Sequence, residues 1–245
     1  MDEILSAWDV KTLATDINQI DRRQRFSDNR RMRHWVATIC AAAGLTAVIR
    51  AQAAEPIRCM QDSPERRGGT GCSIVADTLL RDLPAQPLYW HIDKFPALRA
   101  AQAAAGAASV AIEAHGSAWL MKVEPQSSDH HGGQHAAAVG PLPIPSTASL
   151  MMQIMSAHFL PGQVSEPHTH PGPEAWFVIE GEQCLETPTG TIRAKAGETA
   201  IIDAGPAMRL VGTGTGPRRA LVLVLHGAAQ PPTTITRGVT LASCR

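Results

Sequence analysis

The segment Gly162-Gln-Val-Ser-Glu-Pro-His168-Thr-His170-Pro-Gly-Pro-Glu174-Ala-Trp-Phe-Val-Ile-Glu-Gly181 concentrates side chains able to hold a metal ion. Residues two apart on a strand face the same side, so His168 and His170 present both imidazoles to one face. Glu174 follows across Pro171-Gly172-Pro173, a turn able to return its carboxylate beside them. Two imidazoles and one carboxylate form a facial triad with open positions, a set suited to Fe(II), Mn(II) or Zn(II). An iron centre of this kind fits a dioxygenase, binding oxygen and substrate side by side. Zinc or manganese would instead polarise a carbonyl for isomerisation or hydrolysis.

The other reactive side chains carry less. His158 precedes Gly162 on an apolar run, His226 closes a later run, and Trp176 follows Glu174 closely. All three are candidates for a pocket wall, with a hydrogen-bonded structural role the plainer reading of the two histidines. Glu113 and His115 share a strand face. His130, His131 and His135 sit in a Gly-rich stretch, where chance metal affinity is common and a specific site is not. Nucleophilic and nucleotide chemistry find no support, since no G-x-S-x-G elbow, Walker-A loop or Rossmann glycine fingerprint occurs. Cys184 has no nameable basic partner.

Strands must position these groups. Pro87–Phe95, Ser109–Val123 and Leu150–Leu160 are apolar or alternating runs bounded by Pro, Gly and polar clusters. Ala-rich Pro96–Ala108 predicts a short helix, and Gln126–Ser146 reads as a long loop. Beyond Leu160 the strands become short and evenly spaced: Trp176–Ile179, Cys184–Thr187, Gly190–Ala194, Thr199–Ile202 and Arg219–Leu225. With no βαβ alternation and no fixed repeat, the pattern predicts an all-β sandwich or barrel.

Gly162, His168, His170, Glu174 and Gly181 together resemble the first motif of the cupin superfamily: Gly, five residues, His-x-His, three residues, Glu, six residues, Gly. Residues 197–208 resemble its second motif, keeping Gly197 and Gly205 but carrying Asp203 for Pro and Met208 for His. The resemblance covers residues 150–226. It implies a double-stranded β-helix, the cupin jelly-roll barrel, here spanning residues 75–230 with short N-terminal helices before it and a C-terminal tail at 231–245. It also implies pairing of two copies through their sheets. Met208 stands where metal-bearing cupins place a fourth protein ligand, and a thioether is a poor donor to hard or borderline cations. Three readings stay open. His168, His170 and Glu174 hold Fe, Mn or Zn without it, Met208 completes a copper site, or the pocket binds an organic small molecule without metal. Arg209, next to Met208, should face the other way.

The N-terminal part reads differently. Arg30-Arg31-Met32-Arg33-His34 precede the uncharged run Trp35–Ile49, which ends in Arg50-Ala51-Gln52-Ala53. A basic region, an apolar stretch and a small-residue exit predict a secretory signal peptide over residues 32–53. Fifteen apolar residues fall short of the roughly 20 that span a bilayer. Residues 1–31 then form an extension upstream of Met32, and the mature protein is expected in the periplasm or outside the cell, off the membrane. There 54–74 forms a linker, and Cys59, Cys72, Cys184 and Cys244 meet an oxidising compartment. Cys59 and Cys72 bracket a polar stretch with no hydrophobic period, and a bridge between them would staple it. Across all 245 residues 22 basic side chains balance 22 acidic ones, which leaves no electrostatic footprint for nucleic acid. A chain 44% hydrophobic and 18% charged can bury a large core.

Overall fold

Fifteen strands and one short helix follow one another in a computed structural model, which describes residues 55–63, 69–127, 129–145 and 149–244. All of these lie in one compact unit, Gln52–Arg245. The first part comprises β1 (Cys59–Gln61), β2 (Gly71–Leu80), β3 (Leu88–Phe95), α1 (Leu98–Ala103), β4 (Ser109–Ala114), β5 (Ser117–Pro125) and β6 (Gln134–Val139). The second comprises β7 (Leu150–Phe159), β8 (His168–Thr169), β9 (Glu174–Glu180), β10 (Glu182–Thr187), β11 (Gly190–Lys195), β12 (Thr199–Ile202), β13 (Arg209–Thr213), β14 (Arg218–Gly227) and β15 (Thr234–Ile235).

The central sheet has the order β1-β2-β7-β14-β9-β12, and both of its faces are covered. One face sends Met155, Ala157, Phe159, Trp176, Val178, Val222 and Val224 into a core shared with Leu185, Met208 and Leu210 of the β11-β10-β13 side. Backbone bridges Val164–Val211 and His168–Met208 extend that side toward the β8–β15 pair, giving the two walls of the jelly roll. The opposite face sends Met152, Ile154, Phe177, Leu221 and Leu223 against Trp90, Ile92, Trp119, Met121 and Val123 of a separate sheet, β4-β5-β3-β6. A strand covered on both faces has no solvent side to alternate toward, which is why Ala220–Leu225 is apolar without interruption. The expected all-β cupin jelly roll is thus present, with a further four-stranded layer stacked on its back.

Several boundaries differ from the sequence expectation, each for a local reason. Ser109–Val123 is two strands rather than one, because His115 (φ 52°) and Gly116 (φ 72°) take the paired positive-φ conformation of a two-residue hairpin turn. The expected long loop 126–146 contains β6, whose weakly apolar Ala-rich run gains its order by pairing with β3. The linker read at 54–74 contains β1 and the start of β2, which pair in parallel. The tail read at 231–245 contains β15, pairs with β8 and is joined to the barrel through Cys244. The expected short helix at 96–108 is α1. The N-terminal helices, the signal peptide at 32–53 and the extension at 1–31 lie outside the described residues.

Cys59 and Cys72 are bonded, as their bracketing of a polar stretch suggested, and Cys184 and Cys244 form a second disulfide that the sequence left unpaired. Separations of 13 and 60 residues correspond to about 3 and 4 kcal/mol on the chain-entropy account. No helix among the described residues is long and apolar enough to cross a membrane. The two disulfides are compatible with an extracellular protein.

Candidate metal centre

His168 and His170 stand at the first wall of the barrel, on β8 and immediately after it, and Glu174 opens β9 on the facing wall. What joins them is a tight turn. A Cβ on Gly172 would lie 1.7 Å from the carbonyl oxygen of Leu225 in β14, so only glycine lets Pro171–Pro173 press that closely on the central sheet. The Leu225 amide then donates to the Pro173 carbonyl at 3.1 Å and fixes where β9 begins. The ligand-type atoms of His168, His170 and Glu174 consequently lie within 4.8 Å of one another.

The backbone sets which ring nitrogen faces inward. Nδ1 of His168 donates to the carbonyl of Glu166 at 2.6 Å, and Nδ1 of His170 to that of Pro232 at 2.6 Å. Each ring therefore turns Nε2, with its lone pair, toward the centre, the arrangement by which outer hydrogen bonds orient metal-binding imidazoles. Nε2 of His170 and Oε2 of Glu174 are 3.4 Å apart and buried, and apart from this long mutual contact neither has a hydrogen-bond partner among the described residues. Donors bound to one ion at about 2.0–2.2 Å stand roughly 2.9–3.5 Å from each other. Buried polar atoms without a partner are costly, and a cation between these two would satisfy both. The donor set therefore fits a divalent metal.

Electrostatics separates the two imidazoles. Burial pushes His168 below the ordinary histidine value, and the pull of Glu174 does not overcome it. Burial works on His170 in the same direction, but the adjacent Glu174 carboxylate outweighs it and raises that pKa.

Met208 is the residue that the resemblance aligns with a fourth ligand. It exchanges two backbone hydrogen bonds with His168, at 3.0 and 2.8 Å, so the two side chains leave the same side of the pair. The thioether is fully buried in the barrel core. Arg209, one residue on, does face the other way, donating from Nε to Glu186 at 2.7 Å.

A cavity of about 40 Å³ adjoins the centre, lined by His168, Glu174, Trp176 and Ser165 and otherwise by apolar side chains such as Met155, Phe159 and Leu210. Of the three pocket residues suggested by sequence, Trp176 reaches this cavity. His158 does not: the cavity takes Met155, Ala157 and Phe159 from β7, and the intervening His158 projects from the opposite face with its Nδ1 3.2 Å from the Gly69 carbonyl. His226 is buried on the barrel side, two residues past Val224, which pairs with Glu174. Its Nδ1 meets the Gly227 carbonyl at 3.0 Å, and it is not among the residues lining the cavity.

Two contributors had no signal in the sequence. The C-terminal segment crosses the centre: Pro232 takes the His170 hydrogen bond, Thr234 and Ile235 pair with Thr169 and His168, and the Thr236 amide donates to Pro167. Arg218 is a fully buried cation on the barrel side, held by Gln183 and placed 5.7 Å from the Phe159 ring. Burial pushes its guanidinium down to about 9, against the attraction of Glu174.

Residues 155–224 match the family model of the cupin domain, which places this segment of the chain in the cupin superfamily. No curated protein matches the chain. Among solved structures, an uncharacterized conserved protein with a double-stranded β-helix domain from Klebsiella pneumoniae aligns at 28% identity over 35% of this chain and 75% of its own, with a TM-score of 0.32. A DMSP lyase from Ruegeria pomeroyi aligns at 22% identity over 35% of this chain and 43% of its own (TM-score 0.31). A cupin-like protein from Thermotoga maritima aligns at 17% over 35% and 64% (TM-score 0.30). The chain therefore spans less than half the length of the lyase.

Proposed function

We propose that this chain is an exported cupin that holds a divalent metal through His168, His170 and Glu174 and acts on, or binds, a small molecule in the adjoining cavity. One observation carries the reading: the buried His170 Nε2 and Glu174 Oε2, with no other partner among the described residues, face each other at 3.4 Å beside that cavity. When bound, a metal here supplies Lewis-acid chemistry of the isomerase type or, as iron, redox chemistry of the dioxygenase type. The chain's own residues supply orientation and a dry setting. Glu166 and Pro232 fix the imidazoles, while Phe159, Trp176 and Leu210 keep the wall of the cavity apolar. Export is supported by the two disulfides.

A second reading, a metal-free binding protein, is favoured by Met208, whose soft thioether occupies the position beside His168. Elemental analysis of the exported protein separates the two. Loss of one equivalent of iron, manganese, zinc or copper in both His168→Ala and Glu174→Ala, relative to the unsubstituted chain, is the expected result. No equivalent lost in either variant after reconstitution would leave the binding reading in its place.

A further inference from the structure

The second histidine cluster lies far from the cupin motifs in sequence, on the four-stranded layer. On β3 the even-numbered residues Trp90 and Ile92 enter the core against the central sheet, so His91 and Asp93 project from the other face. That face is covered by the connection between β5 and β6, Asp129-His130-His131-Gly132-Gly133. The connection sits unusually low. A Cβ on Gly133 would lie 2.5 Å from the Phe95 ring and 3.0 Å from Cβ of Asp93, so the chain uses glycine to bring the flanking histidines down onto the carboxylate.

The result is a second convergent set. Nδ1 of His130 is 2.8 Å, and Nδ1 of His135 3.3 Å, from the same oxygen, Oδ1 of Asp93. The three donor atoms all lie within 4.8 Å of one another. The two imidazole rings are tilted by 36° to one another, their centroids 4.3 Å apart. Asp93 is fully buried, whereas His130 and His135 are about 40% exposed, so the set is rigid at its base and open to solvent at its mouth. Lys122 lies 3.1 Å from the other oxygen, Oδ2, fixing the carboxylate's rotation and leaving Oδ1 for the histidines. Glu124, 3.8 Å from Lys122, offsets that ammonium.

A neighbouring group points the same way. His91 is buried, its Nε2 lies 2.8 Å from the Pro125 carbonyl, and its Nδ1 is a buried nitrogen with no hydrogen-bond partner among the described residues. Its ring centroid is 6.4 Å from that of His135. A third imidazole thus lies beside the cluster, outside the convergent set of three.

We propose that Asp93, His130 and His135 form a second metal site, for a borderline divalent cation such as Zn(II) or Cu(II), with solvent on its open positions. Two imidazoles and one carboxylate select this class over Mg(II) and Ca(II), which take oxygen ligands. The separations of 2.8 and 3.3 Å match or nearly match those of donors sharing one ion at about 2.0–2.2 Å. Bound there, the ion would fasten the β5–β6 connection to β3.

The test is a titration of the untagged full chain with Zn(II), repeated with Cu(II) as a spin probe, in a His168→Ala/Glu174→Ala background that silences the barrel centre. One saturable equivalent is expected, with nitrogen couplings from two imidazoles in the copper spectrum. His130→Asn/His135→Asn should weaken it about a hundredfold or more. Those two side chains are partly exposed, so folding is preserved, and circular dichroism verifies it; Asp93 is left in place as the partner of buried Lys122. No saturable binding in the silenced background, or binding that the double asparagine variant leaves unchanged, overturns the proposal. Neither outcome bears on the barrel centre, which the unsubstituted chain reports separately.

Discussion

The barrel centre and the outer cluster each bring together two imidazoles and one carboxylate and hold them in opposite ways. In the barrel, backbone carbonyls of Glu166 and Pro232 take both Nδ1 atoms, so the inward nitrogens are Nε2 and the rings cannot turn. In the outer layer the Nδ1 atoms themselves face the carboxylate, the rings are half in solvent, and the fixed element is Asp93 with Lys122 behind it. A shell of backbone partners specifies a centre more tightly than a single buried carboxylate does. The barrel centre should therefore discriminate among ions by geometry, and the outer one by availability.

Four substitutions break or sharpen this contrast. The largest effect is expected from His170→Ala, which removes a buried donor: one equivalent of metal is lost by elemental analysis, while the outer site still takes one equivalent of Zn(II). Loss at both sites would show that the two are not independent. Gly172→Ala should come next. With 1.7 Å to the Leu225 carbonyl the turn must move, so barrel affinity should fall by about tenfold to a hundredfold, in the range for lost orienting contacts, with the outer site unaffected.

Met208→His has a smaller effect of opposite sign. It replaces a buried thioether next to His168 with an imidazole, and competition against a chelator should show barrel binding of Zn(II) tightened by about tenfold. Unchanged affinity would mean that the fourth position lies out of the ion's reach.

The smallest effect concerns how the outer layer docks. His115, at the β4–β5 turn, places Nε2 3.1 Å from both the Ala220 carbonyl and the Ser156 hydroxyl. Burial, reinforced by Arg219 and Arg218, pushes its pKa below the ordinary value against the pull of the Ala220 carbonyl. The unfolded chain then takes the proton first. Stability is whole above about pH 6.5 and declines as the pH falls below it. Urea midpoints at pH 7.5 and 5.5 should differ less in His115→Gln than in the unsubstituted chain. An equal difference would assign the acid sensitivity elsewhere.

The barrel centre was legible in sequence because its spacing is local: His168, His170 and Glu174 fall within seven consecutive residues, and the period of a strand says which of them share a face. The jelly roll was legible through its short runs and glycine turns, among them Gly181, whose φ of 73° and close approach to the Pro217 carbonyl explain why that motif position is glycine. The outer cluster was not legible as a site. Asp93 and His130 are 37 residues apart, and only the pairing of β3 with β6 brings His135 opposite Asp93. The C-terminal segment misled for another reason. Residues 231–244 have little apolar periodicity, and they are ordered by a disulfide and by hydrogen bonds to other strands, which leave no pattern of their own.

That segment also governs how quickly anything leaves the barrel centre. It is anchored at one end by β14 and at the other by Cys184–Cys244, with Arg193 and Glu186 holding the Cys244 backbone. Local opening of this segment would withdraw the Pro232 carbonyl from His170. With both ends tied, the escape of a bound ion has to wait for a rarer, larger opening of the sheet. In a reducing medium the segment would lose its Cys184 anchor, and an ion held at the centre would leave sooner even where its equilibrium geometry is unchanged.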